Sequence, residues 1–212
     1  MKKKTAILIS GRGSNMTALI DAANHADFPA EISLVLSNVA DAPGLEHARS
    51  KGIQTAVVAH KDFADRTTFD AAVTKHLEEA NIEIVCLAGF MRILSKTFVE
   101  RWQGRLINIH PSLLPAFRGL NVHQRAIDAG VKESGCTVHF VIPELDEGPT
   151  ITQATVAVLD GDDAKTLAAR ILEQEHRIYP LALGLVASGR VQMENGRTMI
   201  DGAPASNGFT LD

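Results

Sequence analysis

Short apolar segments alternate with amphipathic ones along the first half of the chain, and this alternation limits the choice of fold most. Five segments have the length of buried strands: 5–10, 32–37, 55–59, 82–88 and 106–110. Four segments between them have helical spacing: 15–26, 44–51, 66–80 and 96–102. Repeated strand–helix–strand order predicts an α/β fold, with a Rossmann-like, mainly parallel sheet flanked by helices. The runs AILI and VCLA are apolar throughout, as in strands that are buried on both faces.

The pattern changes after residue 110, where prolines and a glycine predict a loop. The elements predicted beyond the loop are, in chain order, helix 122–129, strands 136–142 and 150–158, and helix 163–188. The Asn195-Gly196 step within 191–200 is a strong signal for a two-residue hairpin. We therefore expect an antiparallel C-terminal extension.

The composition is that of a globular protein rather than of a nucleic-acid or membrane protein. The 212 residues contain no repeat or linker, which predicts one domain, 1–212, with halves at about 1–105 and 106–212. A net charge of −4 disfavours nucleic acid as a partner, because that class of protein presents a basic face. No apolar run is long enough to span a bilayer and no signal-peptide pattern follows Met1. We expect no membrane partner, a cytoplasmic location, and a monomer or homodimer.

The two cysteines, Cys86 and Cys136, lie in apolar, strand-like runs. Buried thiols in a reducing compartment are the expected outcome. Neither cysteine belongs to a CxxC pair, so we predict no metal site.

A glycine-rich turn, SGRGSN at 10–15, joins the first strand to the first helix. Glycine allows a tight turn, and the N-terminal N–H groups of a helix attract anions, so a phosphate is the natural ligand. The turn lacks the Gly-Lys-Ser/Thr of a Walker loop, and Met16 occupies the third glycine position of a dinucleotide fingerprint. The second strand ends in Ser37-Asn38 rather than in the acid that would bind a ribose diol. We predict a phosphomonoester rather than NAD; a bare turn with Ser14 as helix N-cap is the structural alternative.

Asn108 and His110 lie two residues apart in the predicted strand 106–110, so their side chains share one face. Pro111 follows, which places both at the carboxyl end of the strand, the edge at which open α/β sheets bind ligands. Burying an unpaired polar group costs about 1–3 kcal/mol, so both need partners. A pair of hydrogen-bonded core side chains is the structural alternative. The functional interpretation is a histidine that exchanges protons near neutral pH, beside an amide that stabilises an oxyanion.

Three carboxylates are further candidates. Asp146 and Glu147 lie in a loop after a strand, where an acid would orient His110 and favour its protonated form. The residues alone do not distinguish these two acids from each other or from simple turn acids. Glu175 falls in the middle of the apolar face of the predicted helix 163–188. An inward carboxylate needs compensation, which either a buried arginine or a polar substrate group would supply.

Several motifs together closely resemble the glycinamide ribonucleotide formyltransferases, a folate-dependent family of purine synthesis. The matching segments follow the family's order over nearly the whole chain: ISGRGSN (9–15), LAGFMRIL (87–94), INIHPSLLPAF (107–117), GCTVHFV with ELDEGP (135–149), and QEHRIYP (174–180). The resemblance implies transfer of the formyl group of 10-formyltetrahydrofolate, a co-substrate, to the amine of glycinamide ribonucleotide, without a metal.

The resemblance also implies roles for individual residues. Gly13, Ser14 and Asn15 match the turn that binds the substrate's phosphate, and Glu175 matches the acid that contacts its glycinamide portion. The residues that match folate-binding positions are Arg66, Phe90, Met91, Arg92, Ile93, Leu94 and Asn108. The residues that match the catalytic positions are Asn108, His110 and Asp146, which favours Asp146 over Glu147. The first half of the chain is then the phosphate-binding half, and the second half carries folate-binding and catalytic residues.

Broader relatives share only part of this pattern. Methionyl-tRNA formyltransferase is similar around HPSLLP but has an additional nucleic-acid-binding domain, and formyltetrahydrofolate deformylase has a preceding regulatory domain; we expect neither domain here. The alternative function is hydrolysis of 10-formyltetrahydrofolate by the same residues. A nucleotide-binding module without chemistry would leave Asn108 and His110 unexplained. One departure from the family pattern is Arg118, where a proline or a small residue is expected.

Overall fold

Residues 1–205 and 209–211 are described by the structure, a computed structural model, with only the backbone described at 209–211. The chain divides into two units, Met1–Ile107 and Asn108–Asp212. The prediction of a single domain over 1–212 stays a prediction.

The first unit alternates strands with helices, as predicted from the apolar pattern. Its strands are β1 (Lys3–Ile9), β2 (Ala30–Ser37), β3 (Gln54–Val57) and β4 (Ile84–Leu87). Its helices are α1 (Ser14–Ala23), α2 (Pro43–Ser50), α3 (Arg66–Glu79) and α4 (Lys96–Arg101). A short 3-10 helix, His60–Asp62, was not predicted.

The strands of the first unit are parallel and occur in the order β4-β1-β2-β3. Every residue of β4 is buried, as is the stretch from Thr5 to Ile9 in β1. Helices on both faces of a parallel sheet explain why these strands are apolar throughout. The carboxyl ends of β1 and β4 lie at the same edge, so the glycine-rich turn and segment 90–94 emerge side by side.

The second unit begins within β5 (Leu106–His110) and contains an antiparallel pair of strands. Its further elements are, in chain order, α5 (Val122–Asp128), β6 (Glu133–Phe140), β7 (Thr150–Ala157), α6 (Ala164–Ala187), β8 (Val191–Glu194), β9 (Arg197–Ile200), β10 (Ala203–Pro204) and β11 (Phe209–Leu211). Strand β6 pairs antiparallel with β7, and β11 pairs parallel with β7. Strands β8, β9 and β10 form a separate small antiparallel sheet, which confirms the predicted C-terminal extension.

The hairpin between β8 and β9 turns at the predicted Asn-Gly step. Asn195 and Gly196 have φ of 50° and 73°. Positive φ at both central residues matches the twist of the flanking strands. The prediction of a two-residue hairpin is therefore confirmed.

Helix α6 is amphipathic as predicted and packs against β6 and β7. Asp163 caps its N-terminus by accepting from Thr166 N–H, and Thr166 Oγ1 accepts in turn from Asp163 N–H, a capping box. Ahead of the cap, Asp162 accepts two hydrogen bonds from Arg170, at 2.7 and 2.9 Å. The helix continues through Pro180.

Candidate active site

The glycine-rich turn leads from β1 into α1, whose N-cap is Gly13. Gly13 has φ of 74°, a left-handed conformation that favours glycine. The N-cap lies one residue before Ser14, and within residues 1–205 no side chain caps the helix. The N–H of Gly44 in α2 donates to the carbonyl of Gly11, which holds the turn against a second helix. A fixed turn at a helix N-terminus is the geometry expected of a phosphate-binding loop.

The segment predicted to bind folate, residues 90–94, follows β4 and exposes two of its apolar side chains. Met91 and Ile93 are 69% and 60% exposed. Phe90 stacks on Phe69 with ring centroids 6.4 Å apart, and the Arg92 guanidinium lies over the same ring. Arg66 is the exposed first residue of α3. Exposed apolar side chains of this size on a parallel sheet edge suit a planar ligand.

The second unit brings Asn108, His110 and Asp146 together. His110 Nδ1 lies 3.5 Å from Asp146 Oδ2, and both side chains are more than 90% buried. Glu147 does not face the histidine; its carboxylate accepts from Arg118 at 2.5 Å. The geometry therefore makes Asp146 the acid next to His110, the choice that the residues alone left open. The same ion pair gives Arg118, the departure from the family pattern, a partner.

The carboxylate of Asp146 is held by the loop before α5. Asp146 Oδ2 accepts from Gly119 N–H at 2.9 Å, and the backbone of Asp146 has φ of 52°. His110 Nε2 lies 3.0 Å from the carbonyl oxygen of Phe117 in that loop. A carbonyl only accepts, so Nε2 carries a hydrogen. Both ring nitrogens thus face acceptors, and both can donate at once only in the imidazolium form.

His139 joins this group, although the sequence analysis did not select it. The ring is 2% exposed, and its Nε2 lies 3.2 Å from Asn108 Nδ2. Its Nδ1 lies 2.9 Å from the carbonyl oxygen of Phe140. The sequence contains the same signal for His139 as for His110. Thr137 and His139 are two residues apart in β6 and share one face, just as Asn108 and His110 do in β5.

The contacts of His139 define its tautomer and, through it, the orientation of the Asn108 amide. Burial lowers the pKa of His139; the Phe140 hydrogen bond and the Asp146 carboxylate oppose this shift. In the neutral ring, Nδ1–H donates to the Phe140 carbonyl, so Nε2 is an acceptor. The Asn108 NH₂ group must therefore point at His139. One of its two hydrogens is used there, and the other can be donated to a ligand.

Glu175 lies on α6 and is buried, with 7% exposure. Burial and the nearby charge of Glu175 both raise the pKa of the Cys136 thiol. Cys136 is buried in β6, as predicted, and so is Cys86 in β4. The inward position predicted for Glu175 from helical spacing is confirmed.

Across residues 1–205, no three histidine, cysteine or acidic side chains lie close enough together to hold a metal ion. None of the helices of that range has the length and apolar character required to cross a membrane.

The chain is similar to known formyltransferases over most of its length. Residues 3–183 match the family model described as formyl transferase. The phosphoribosylglycinamide formyltransferase of Escherichia coli is 45% identical over 92% of each chain. The trifunctional purine biosynthetic protein adenosine-3 of Gallus gallus is 53% identical over 91% of this chain, which spans about one fifth (19%) of that relative. The Coxiella burnetii phosphoribosylglycinamide formyltransferase has a TM-score of 0.95 at 41% identity, with both chains covered completely. This likeness confirms the predicted formyltransferase fold, and the chain belongs to the formyl transferase family.

Proposed function

We propose that this chain transfers the formyl group of 10-formyltetrahydrofolate to the amine of glycinamide ribonucleotide, as a step of purine biosynthesis. The products are formylglycinamide ribonucleotide and tetrahydrofolate. The observation that carries the proposal is the group of Asn108, His110 and Asp146, held at the end of a strand in a member of the formyl transferase family. The names of its relatives supply the acceptor. Cytoplasmic location, a monomeric or homodimeric state and the absence of a nucleic-acid partner remain predictions from composition.

The first step is attack of the neutral amine on the formyl carbon, which creates a tetrahedral intermediate with an oxyanion. Asn108 donates its second amide hydrogen to this oxygen, since the first is bound to His139 Nε2. An amide that is oriented before the reaction needs no reorganisation as the charge develops, which is the main source of such stabilisation.

His110 supplies the second hydrogen bond and the mobile proton. Its Nε2–H is directed to the Phe117 carbonyl and must leave that acceptor in order to reach the oxyanion. Asp146 keeps Nδ1–H in place and stabilises the imidazolium. When the intermediate collapses, the bond between the formyl carbon and the folate nitrogen breaks and His110 gives its proton to that nitrogen, which leaves with tetrahydrofolate; the proton that the attacking amine must lose restores the imidazolium.

The remaining predicted residues bind the two substrates. Gly13, Ser14 and Asn15 bind the phosphate of glycinamide ribonucleotide, and Glu175 contacts its glycinamide group. Folate is bound by the backbone and apolar side chains of 90–94, with Arg66 near its outer portion and Asn108 at its formyl group. We infer that no metal takes part, because the formyl donor is already activated.

The decisive experiment follows release of tetrahydrofolate from 10-formyltetrahydrofolate, with and without glycinamide ribonucleotide. We expect release only with the amine, together with formylated product. Release without the amine would identify a hydrolase. No release in either case would refute the assignment of the donor or of the acceptor.

Variants of the catalytic residues test the mechanism in the same assay. Asn108→Ala should lose about 2.7–4 kcal/mol of transition-state stabilisation, by analogy with other oxyanion donors. His110→Ala should lower turnover roughly a hundred- to ten-thousand-fold. Near-native single-turnover rates in either variant would remove that residue from the mechanism.

A further inference from the structure

The segment between β4 and α4 is held at its two ends by side chains from elsewhere in the first unit. Residues 91–95 form neither helix nor strand, and Met91 and Ile93 are largely exposed. Their own burial therefore does not hold the segment. Instead, the first N–H, of Met91, donates to Ser10 Oγ at 2.7 Å, and the last N–H, of Ser95, donates to Asp70 Oδ2 at 2.5 Å.

Ser10 is oriented for this contact by a buried amide. Its hydroxyl donates to Asn38 Oδ1 at 2.6 Å, which uses the single hydrogen of Ser10 and leaves a lone pair for Met91 N–H. Asn38 is 3% exposed, and its Nδ2 lies 3.2 Å from His60 Nδ1. The serine therefore cannot turn to serve another acceptor without leaving the Asn38 oxygen unsatisfied.

The buried carboxylate of Asp70 destabilises the fold more than a purely structural role would require. The side chain is 3% exposed, and within residues 1–205 its Oδ1 has no hydrogen-bond partner. Burial of a carboxylate with so few partners is costly. Helix α4 does not need it as a cap, because Ser95 Oγ already accepts from Phe98 N–H. What Asp70 adds is the position of the Ser95 backbone.

We propose that Ser10 and Asp70 are positioning residues for the formyl donor, which fix the two ends of segment 91–95 so that its backbone is preorganised for folate. The inference rests on the proposed function for the identity of the ligand. A segment that is fixed before binding loses less entropy when the ligand arrives, so the loss of either anchor weakens donor binding. The chemical step is affected less, because neither side chain belongs to the catalytic group.

The Asp70 anchor is tested by two substitutions of its partner. Ser95 has φ of −69°, which proline adopts without strain. Ser95→Pro removes both the hydroxyl and the N–H, whereas Ser95→Ala removes only the hydroxyl. We expect the KM for 10-formyltetrahydrofolate to rise about three- to tenfold more in the proline variant than in the alanine variant, the range expected for one hydrogen bond.

The Ser10 anchor is tested by Ser10→Ala, with Ser10→Thr as the variant that keeps the hydroxyl. The alanine variant should raise the donor KM by a similar factor and speed hydrogen exchange of the Met91 amide, and threonine should restore both. Ser33→Ala is a matched control, since that hydroxyl donates to the exposed Glu31 side chain.

The outcomes separate the inference from the proposed function. Folded variants whose donor KM matches that of their paired controls would overturn the inference. Equal losses for both substrates, or a loss in turnover alone, would also overturn it. Asp70→Ala is the direct variant of this anchor. If it does not fold, the comparison of Ser95→Pro with Ser95→Ala still tests the anchor. A wild-type protein that releases no tetrahydrofolate would refute the proposed function itself.

Discussion

At the scale of single residues, the candidate active site depends on which nitrogen of His139 carries hydrogen. The ring is the acceptor for Asn108 Nδ2 because its other nitrogen donates to the Phe140 carbonyl. A protonated His139 would have two donors and would turn the Asn108 oxygen toward itself. Burial lowers the pKa of this ring, which keeps it neutral and keeps the amide hydrogens directed outward.

Substitution of His139 should therefore damage turnover through Asn108. His139→Phe removes the acceptor with little change of shape, and we expect turnover to fall about three- to hundredfold while both KM values change little. His139→Gln offers an acceptor to Asn108 and a donor to Phe140, so it should recover part of the loss. Single-turnover rates at pH 7.5 measure the effect. A glutamine variant that is no better than phenylalanine would contradict this orienting role.

The sequence predicts site residues that a local pattern marks, and it misses those whose importance depends on contacts between distant parts of the chain. Asn108 and His110 were found because strand alternation and Pro111 place both at one strand end. The residues alone did not separate Asp146 from Glu147; the resemblance favoured Asp146, and the structure places its carboxylate 3.5 Å from His110. His139 carries the same alternation signal, but its importance lies in a contact with a residue 31 positions away. Such pairing is a property of the folded chain.

At the scale of elements, the hydrophobic pattern predicts every α-helix of the described residues, and boundaries differ by a few residues. The described elements that it misses have two or three residues each: the 3-10 helix at His60–Asp62, β10 and β11. Segments this short lie below the four or more residues over which a strand or helix pattern can be recognised. The turn-rich loop 143–149 was predicted as a connection, but its path was not. That path depends on a close approach of two backbones at Gly148.

Gly148→Ala should displace the loop that carries Asp146. A Cβ at this position would lie 1.6 Å from the carbonyl oxygen of Phe140, a backbone atom that cannot move aside cheaply. We expect the His110–Asp146 contact to be lost and turnover to fall about as far as in Asp146→Ala. Rate measurements on the two variants make the comparison. Glu144→Ala, an exposed position in the same loop, is the control and should keep native turnover. A native rate in Gly148→Ala would show that the loop position does not matter.

At the scale of the whole molecule, the fold is shared with its relatives more completely than the sequence is. The TM-score of 0.95 to the Coxiella burnetii structure accompanies only 41% identity. Apolar character at buried positions is enough to preserve elements of this kind, whereas the identity of each side chain matters at few places. The fold class was therefore accessible from patterning alone, whereas the proposed acceptor substrate was accessible only from motifs.

Three buried or half-buried histidines make stability depend on pH. Burial lowers the pKa of His123, His139 and His176, and the charge of His110 adds to the shift at His123. In the unfolded chain these histidines take up protons near the ordinary histidine pKa of 6.5, while in the folded chain they take them up only at lower pH. The unfolded state thus binds more protons in that window, so stability is complete above about pH 6.5 and falls as the pH drops below it.

We expect the free energy of unfolding to decrease between pH 7.5 and pH 5, by up to about 1.4 kcal/mol per pH unit for each histidine that stays neutral. Urea unfolding across this range measures the slope. His139→Gln should flatten it, because the glutamine side chain binds no proton. His25→Gln, at an exposed position, serves as the control and should leave the slope unchanged. A slope of zero, or stability that rises toward pH 5, would mean that these rings are charged in the folded protein.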